Sequence, residues 1–230
     1  RFCAVLFIFL ICVIVGKNLI WDNFRTICLN NIDMNTPKSS DVSNYAERPK
    51  TSSSKNSENT WNLILVNRNN YIPDSYNVEL TELSNGKYID SRIYPNLQKM
   101  FDDARSQGVY PVVGEGFRTA EEQETMLSDK VESYMAEGYS KNKATELAKE
   151  SVAIPGTSEH QLGLAVDINA DKSISTNEEV YEWLSQNAYK YGFILRYPAN
   201  KTGITGTIYE PWHYRYVGKV AAEGIYTQEI

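Results

Sequence analysis

A ten-residue segment, Ser158-Glu-His-Gln-Leu-Gly-Leu-Ala-Val-Asp167, restricts the fold of this chain more than any other part of the sequence. Read as a strand from Leu162, it places three residues on one face: Gly163, Ala165 and Asp167. The opposite face is apolar and holds Leu162, Leu164, Val166 and Ile168. The apolar face predicts burial in a core, and the small residues of the other face leave room beside the carboxylate. The segment therefore predicts a strand at the floor of a cavity that can hold an ion.

The chain has only two histidines, and both lie in polar motifs. His160 precedes the predicted strand, and His213 ends the second motif, Glu210-Pro-Trp-His213. A catalytic zinc site takes three protein ligands and leaves its fourth position to water. His160, Asp167 and His213 supply that set, so we predict that they bind one Zn²⁺ ion. Imidazole and carboxylate suit zinc, and the sequence alone leaves another divalent transition metal open.

Glu210 lies three residues before His213 and is not needed to complete the ligand set. A zinc ion lowers the pKa of its bound water to about 7, and a nearby carboxylate can then take the proton from that water. We therefore predict that Glu210 is the catalytic base.

A third motif, Gly114-Glu-Gly-Phe-Arg-Thr119, follows a predicted buried strand and opens a predicted helix, with Gln123 one helical turn beyond it. The planar guanidinium of Arg118 could hold a carboxylate or a developing oxyanion with a geometry that lysine cannot reproduce. We predict that Arg118 takes part in catalysis.

Each of these residues, taken alone, has an ordinary structural interpretation. A histidine next to a strand is commonly a core residue, Asp167 could cap the turn that follows it, and Glu210 or Arg118 could be a surface charge. The joint occurrence favours metal binding, because both histidines of the chain, an aspartate beside small residues and a glutamate all fall in two short motifs.

The remaining pattern predicts an α+β fold with a small, mainly antiparallel sheet and flanking helices, because helices and strands do not alternate strictly. Apolar periodicity and capping signals predict helices from Pro95 to Gly108, Thr119 to Gly138, Lys141 to Ser151, and Ser175 or Thr176 to Gly192. Strands or extended segments are predicted at Trp61–Val66, Tyr76–Leu83, Val109–Val113, Phe193–Tyr197 and Trp212–Val217.

Length and charge limit the function further. A chain of 230 residues with 42% hydrophobic residues suits one folded domain, which we place at residues 61–230. The net charge of −6 provides no clustered positive surface for phosphates, so we predict no nucleic-acid partner.

Residues 1–29 are predicted to be a membrane anchor or signal segment and its flank. Phe2 to Val15 contains no polar side chain, which indicates insertion into a membrane. We favour an uncleaved anchor, because no small-x-small cleavage site follows the run. Residues 30–60 are rich in Ser, Asn and Thr and are predicted to be a disordered linker. Because no cysteine follows Cys28, the predicted domain needs no disulfide and suits a location outside the cytoplasm, at the cell membrane.

Together the three motifs resemble those of the lysostaphin, D-Ala-D-Ala metallopeptidase and hedgehog superfamily, and most closely D-alanyl-D-alanine carboxypeptidases of the VanY type. Ser158-x-His160 with Gly163, Ala165 and Asp167 is similar to the first metal motif of these zinc peptidases, and Glu210-x-Trp212-His213 is similar to the second. Gly-Phe-Arg-Thr119 is similar to their Tyr-Arg-Ser segment. The resemblance covers about residues 61–220, and the chain departs from it at Glu115, where a small serine is expected.

The resemblance implies a fold like that of hedgehog domains and D-Ala-D-Ala peptidases, and removal of the C-terminal D-Ala from peptidoglycan stem peptides. It implies that Arg118 steadies the oxyanion or the substrate, that Ser158 and Gln123 hold the terminal residue, and that Trp212 packs beside the site. It also implies a role in glycopeptide (vancomycin) resistance. Glu115 adds negative charge near the site and leaves the handling of the substrate carboxylate open.

Two alternatives remain open at the level of sequence. The same ligands serve L,D-carboxypeptidases that act on tetrapeptide stems, since pocket shape decides between the two specificities. A non-catalytic zinc-containing module that binds the cell wall is the other alternative, and the presence of Glu210 and Arg118 argues against it.

Overall fold

A computed structural model describes residues 60–228 of the chain. The predicted membrane segment, residues 1–29, and nearly all of the predicted linker, residues 30–60, lie outside the described residues. No helix between residues 60 and 228 combines the length and the apolar character that crossing a membrane requires.

Two antiparallel sheets confirm the predicted α+β class. The smaller sheet is a hairpin of β1 (Leu80–Glu82) and β2 (Tyr88–Asp90). The larger sheet contains β3 (Pro111–Glu115), β4 (Ala165–Ala170), β5 (Phe193–Leu195) and β6 (His213–Tyr216) in the order β3-β4-β6-β5. Every neighbouring pair in it is antiparallel, so the segments that carry chemistry lie on adjacent strands.

Six α-helices accompany the sheets in the described chain. They are α1 (Tyr94–Ser106), α2 (Ala120–Ala136), α3 (Lys141–Ser151), α4 (Asn177–Asn187), α5 (Thr202–Thr205) and α6 (Lys219–Gln228). Short 3₁₀ turns form at Trp61–Leu63, Glu159–Leu162, Ala188–Tyr191 and Ala199–Lys201. The predicted helices correspond to α1 through α4.

Local sequence signals explain where these helices begin and which face they bury. The predicted apolar face of α1 is buried and consists of Leu97, Met100, Phe101 and Ala104. The hydroxyl of Thr119 accepts a hydrogen bond from the Glu122 backbone while the Glu122 side chain accepts one from the Thr119 backbone, which is the predicted capping box of α2. Thr176, with Glu179, caps α4 in the same way.

The predicted strand at Trp61–Val66 is wrong. Trp61–Leu63 is a 3₁₀ turn, and within this segment Val66 is fully buried whereas Leu65 is 56% exposed. The carbonyl oxygens of Asn62 and Ile64 accept hydrogen bonds from the Arg215 guanidinium. A charged side chain, not a neighbouring strand, therefore satisfies this part of the backbone.

The strand predicted from Leu162 begins later, at Ala165. Leu162 ends a 3₁₀ turn, and Gly163 adopts a left-handed conformation with φ of 68°. A Cβ atom at Gly163 would lie 2.9 Å from the backbone nitrogen of Asp90, so the residue also permits close approach of the chain. The four apolar residues are all buried, as predicted, although Leu162 and Leu164 lie outside the strand.

Candidate metal centre

The pairing of β4 with β6 sets two of the three predicted ligands side by side. Asp167 lies directly opposite His213 in the antiparallel register, and such partners project from the same face of a sheet. His213 Nδ1 is 3.0 Å from Asp167 Oδ1. His160, in the 3₁₀ turn before β4, places its Nε2 atom 3.4 Å from the same oxygen. The three residues offer ligand atoms within 4.8 Å of one another, so the predicted set is brought together.

A backbone carbonyl holds the far side of the His160 ring. Its Nδ1 atom is 2.8 Å from the Gly116 oxygen, which can only accept a hydrogen bond, so Nδ1 carries a proton and Nε2 is the atom that faces Asp167. The backbone N–H of Arg118 donates to the His160 oxygen at 3.2 Å. The loop after β3 and the turn that carries His160 are therefore joined twice.

His213 is held by carboxylates on both sides. Its Nδ1 atom faces Asp167, and its Nε2 atom faces Glu159 Oε2 at 3.6 Å. Burial works against the charged imidazole, but the hydrogen bond to Asp167 and the negative charges of Asp167 and the nearby Glu159 outweigh it and raise the pKa of His213 to about 9. Burial also opposes ionisation of Asp167, yet hydrogen bonds from the two histidines hold its pKa well below the usual range.

Glu159 is a functional candidate that the sequence did not reveal. Its side chain is buried, and its Oε1 atom pairs with Arg196 at 2.9 Å and with Arg215 at 3.1 Å. Burial opposes its ionisation, but the charge of Arg215, the nearby imidazole of His213 and the charge of Arg196 lower its pKa to about 2. Glu159 lies inside the first motif, between two other polar residues. Nothing in the sequence around it indicates which side chains it will contact.

The donor set fits a transition-metal ion such as zinc. Two imidazole nitrogens and one carboxylate oxygen converge, and both imidazole rings have their other nitrogen directed at a protein oxygen. Hydrogen bonds of this kind fix the tautomer and ring orientation of metal-binding histidines. The two rings are almost perpendicular, with centroids 4.9 Å apart, so their nitrogens can approach one ion from different directions.

The predicted base, Glu210, lies beside the ligand atoms. Its Oε2 atom is 3.8 Å from His213 Nδ1, and its side chain is 15% exposed. Burial raises the pKa of Glu210, and the negative charge of Asp167 adds to this, while His213 and Arg118 act in the opposite direction. A raised pKa makes the carboxylate a stronger base than an exposed glutamate.

A cavity of about 400 Å³ opens above these groups. Predicted substrate residues Ser158, Gln123 and Trp212 line it, together with Arg118, Glu210 and the three metal-binding candidates. Arg118 is buried, and its Nη1 atom donates to Gln123 Oε1 at 2.9 Å, while Gln123 Nε2 donates to the Ala153 carbonyl. The structure thus places all eight predicted site residues around one cavity, with Gln123 bracing Arg118.

Glu115, the residue that departs from the expected pattern, lies at the end of β3 opposite Asp167. Its carboxylate is 3.3 Å from Lys87 Nζ and 3.8 Å from Arg118 Nη2. The extra negative charge is therefore compensated by two cations.

The VanY family model, described as D-alanyl-D-alanine carboxypeptidase, matches residues 86–219, a range that contains all eight predicted site residues. The chain belongs to the VanY family. This confirms the family and the enzyme class, metallocarboxypeptidase, that the motifs predicted.

Known members of the VanY family and related structures agree with this assignment. A D-alanyl-D-alanine carboxypeptidase of Enterococcus faecalis is 57% identical over 180 residues, which cover 78% of this chain and 67% of that protein. The vancomycin resistance D,D-pentapeptidase VanY from a VanB-type cassette is 59% identical, with a TM-score of 0.72. It was solved as a glutamate-to-alanine variant with Zn(II), and the match covers 74% of this chain and 96% of that one. VanYB in complex with D-alanine-D-alanine gives the same score and identity, covering 74% and 94%.

The LdcB LD-carboxypeptidase is also similar, with 37% identity and a TM-score of 0.59, over 72% of this chain and 81% of that one. Its likeness places an L,D-specific enzyme on the same fold.

Proposed function

We propose that this chain is a zinc-dependent D,D-carboxypeptidase that removes the C-terminal D-Ala from peptidoglycan stem peptides. The observation that carries this proposal is the convergence of His160, Asp167 and His213 at one cavity, with Glu210 3.8 Å from His213 Nδ1. The VanY relative solved with Zn(II) and the one solved with D-alanine-D-alanine support the metal and the substrate.

Bound at these ligands, zinc supplies a Lewis acid and lowers the pKa of a water molecule to about 7. Glu210 takes a proton from the attacking water and delivers it to the amine of the departing D-alanine. Its raised pKa, caused first by burial, suits both transfers, because a carboxylate that is too acidic would hold the proton poorly.

Arg118 is assigned to the developing oxyanion or to the carboxylate of the substrate. Gln123 bonds its guanidinium, and its burial limits the water that could weaken its charge. Ser158 and Gln123 are assigned to the terminal residue of the substrate and Trp212 to packing beside it, since all three line the cavity.

The cellular setting is part of the same proposal. The apolar segment Phe2–Val15 would hold the enzyme at the cell membrane, with the catalytic domain on the outer side, where peptidoglycan stems are exposed. Removal of the terminal D-Ala takes away the group that glycopeptide antibiotics bind, so the enzyme would contribute to resistance. Protease added to intact cells should degrade the domain, whereas a protected domain would contradict this placement.

A substrate series tests the specificity. The purified full-length chain with zinc should release D-alanine from a stem pentapeptide that ends in D-Ala-D-Ala, and a chelator should stop the release. The higher identity to VanY than to LdcB favours the pentapeptide over the tetrapeptide. Faster cleavage of the tetrapeptide would assign the chain to L,D-carboxypeptidases instead.

The variant Glu210→Ala tests the catalytic base. Zinc content should be unchanged, whereas kcat should fall by about 10²–10⁴-fold, the usual contribution of a general acid–base group. Glu223→Ala, which removes an exposed glutamate from α6, should keep the full rate and serves as the control. A Glu210→Ala variant with both its zinc and its full rate would favour the non-catalytic binding module.

A further inference from the structure

Two buried polar atoms in the described chain have no hydrogen-bond partner: Glu159 Oε2 and His213 Nε2. They face each other at 3.6 Å, and their residues are 3% and 4% exposed. Burying a polar group without a hydrogen-bond partner costs free energy. Because these two atoms face one another, a single cause should account for both. A small approach of the two side chains would form one hydrogen bond from the imidazole to the carboxylate.

The geometry around Glu159 fixes which of its oxygens faces His213. Arg196 donates a hydrogen bond to Oε1 and Arg215 forms an ion pair with the same oxygen, which leaves Oε2 for the imidazole. Arg215 is itself fixed, because its guanidinium also donates to the carbonyls of Asn62 and Ile64. The carboxylate is thus held by donors that lie on other parts of the chain and cannot turn away from the ring.

We propose that Glu159 is a positioning residue for the metal centre: it accepts the Nε2–H of His213 and so keeps Nδ1 bare and directed at the ion. The inference depends on the proposed zinc-dependent function. The two histidines then bind zinc through different nitrogens, His160 through Nε2 and His213 through Nδ1, because each has its other nitrogen bonded to a protein acceptor. Glu159 itself does not touch the substrate.

The variant Glu159→Gln is a sharp test because it keeps the shape of the side chain. The two arginines are donors only, so the amide oxygen will face them and the amide NH₂ will face His213. An NH₂ group donates, which favours the His213 tautomer with its proton on Nδ1, the atom that should bind zinc. We expect the zinc affinity of the full-length chain to fall by about 10–100-fold in a chelator competition.

Loss of the Glu159 charge also leaves two buried arginines less well compensated, and a purely structural role would act through that imbalance. The double variant Glu159→Gln/Arg196→Gln returns the net charge of the cluster to its original value without restoring the acceptor for His213. We expect the double variant to regain much of the thermal stability lost by Glu159→Gln but to keep the lowered zinc affinity. Recovery of both together would assign Glu159 a structural role only.

The imidazole nitrogens give a readout that does not depend on activity. Because the chain has only two histidines, a ¹⁵N–¹H spectrum of the imidazole groups contains two spin systems. In the zinc-loaded chain we expect opposite tautomers, with the proton on Nδ1 of His160 and on Nε2 of His213. Identical tautomers would overturn the proposal.

The outcomes separate this inference from the proposed function. If the wild-type chain bound no zinc, the proposed function itself would fail. If the wild-type chain bound zinc and Glu159→Gln bound it equally well, the enzyme would stand and the positioning role of Glu159 would be rejected.

Discussion

The two histidines of this chain are held in opposite ways. His160 is fixed by the backbone, since its Nδ1 atom bonds the Gly116 carbonyl at 2.8 Å. His213 is fixed by side chains: its Nδ1 atom faces Asp167 and its Nε2 atom faces Glu159. One metal centre therefore combines a histidine held by a neutral backbone carbonyl with a histidine held by charged carboxylates.

Mutation can disturb the two histidines in different ways. A carbonyl cannot be removed by mutation, so the support of His160 changes only if the loop after β3 moves. The carboxylate behind His213 can be removed by a single substitution, but it belongs to a cluster with Arg196 and Arg215, so its loss alters buried charge as well. Removing the carboxylate that faces His213 should therefore change the buried charge of the site more than moving the loop that holds His160.

Deleting either imidazole ring should have the largest effect on the site. His160→Ala and His213→Ala should both abolish zinc binding, because each removes one of three ligands. Without metal their stabilities should differ. His213→Ala removes a buried charged group between two carboxylates and should cost about 3–5 kcal/mol in the free energy of unfolding. His160→Ala loses a hydrogen bond to a carbonyl and should cost less, about 1–3 kcal/mol.

Metal analysis and denaturant unfolding of the metal-free chains check this prediction. Retained zinc in either variant would remove that residue from the ligand set. Equal losses of stability in the two variants would mean that the carbonyl at His160 stabilises the fold as much as the carboxylates at His213, which would contradict this prediction.

The sequence was sufficient to predict the parts of the site that follow local rules. The apolar residues on either side of Ala165 were predicted to be buried and are, and the capping box at Thr119 predicted the start of α2. Glu210 and His213 are three residues apart, so one turn before β6 brings them together. Local periodicity and spacing determine these features, and the chain shows them without knowledge of the tertiary structure.

The rest depends on contacts between distant parts of the chain. Arg215 lies in a strand whose neighbours are aromatic, yet its guanidinium is buried against Glu159 and the carbonyls near residue 62. Those carbonyls belong to the predicted strand Trp61–Val66, where this guanidinium and not a neighbouring strand bonds the backbone. No pattern within either segment indicates the other, so both the failed strand and the missed role of Glu159 have the same physical origin.

The carboxylates around His213 should make the stability of the metal-free chain depend on pH. The pKa of metal-free His213 is raised from an ordinary 6.5 to about 9, because its hydrogen bond to Asp167 and the nearby Glu159 carboxylate outweigh burial. A group whose pKa is higher in the folded state stabilises the fold fully below its unfolded value. The contribution of His213 to the free energy of unfolding should therefore be present in full below pH 6.5. It should be lost as the pH rises to about 9, a loss of up to about 3 kcal/mol.

Chemical denaturation of the metal-free chain between pH 6 and about 9.5 measures this slope. His213→Ala is the control, because it lacks the titrating group and should show a much flatter profile. An equal slope in both chains would mean that His213 does not gain a proton from its carboxylate neighbours.

The smallest effect is expected from disturbing the Gly116 carbonyl that holds His160. In Gly116→Ala the new Cβ would lie 2.2 Å from the Tyr88 carbonyl oxygen, which belongs to the backbone and cannot rotate aside. The loop must move and carry the Gly116 carbonyl away from His160, so we expect a loss of about 1–3 kcal/mol in stability and weaker zinc binding.

Gly114→Ala is a matched control, because its Cβ would meet the Asn169 amide, a side-chain end that can turn away. Stability and zinc affinity should change little there. If Gly116→Ala lost stability but kept its zinc affinity, the carbonyl would not be needed to orient His160. Zinc affinity would then depend less on the Gly116 carbonyl than on the Glu159 carboxylate, because only the carboxylate would affect metal binding.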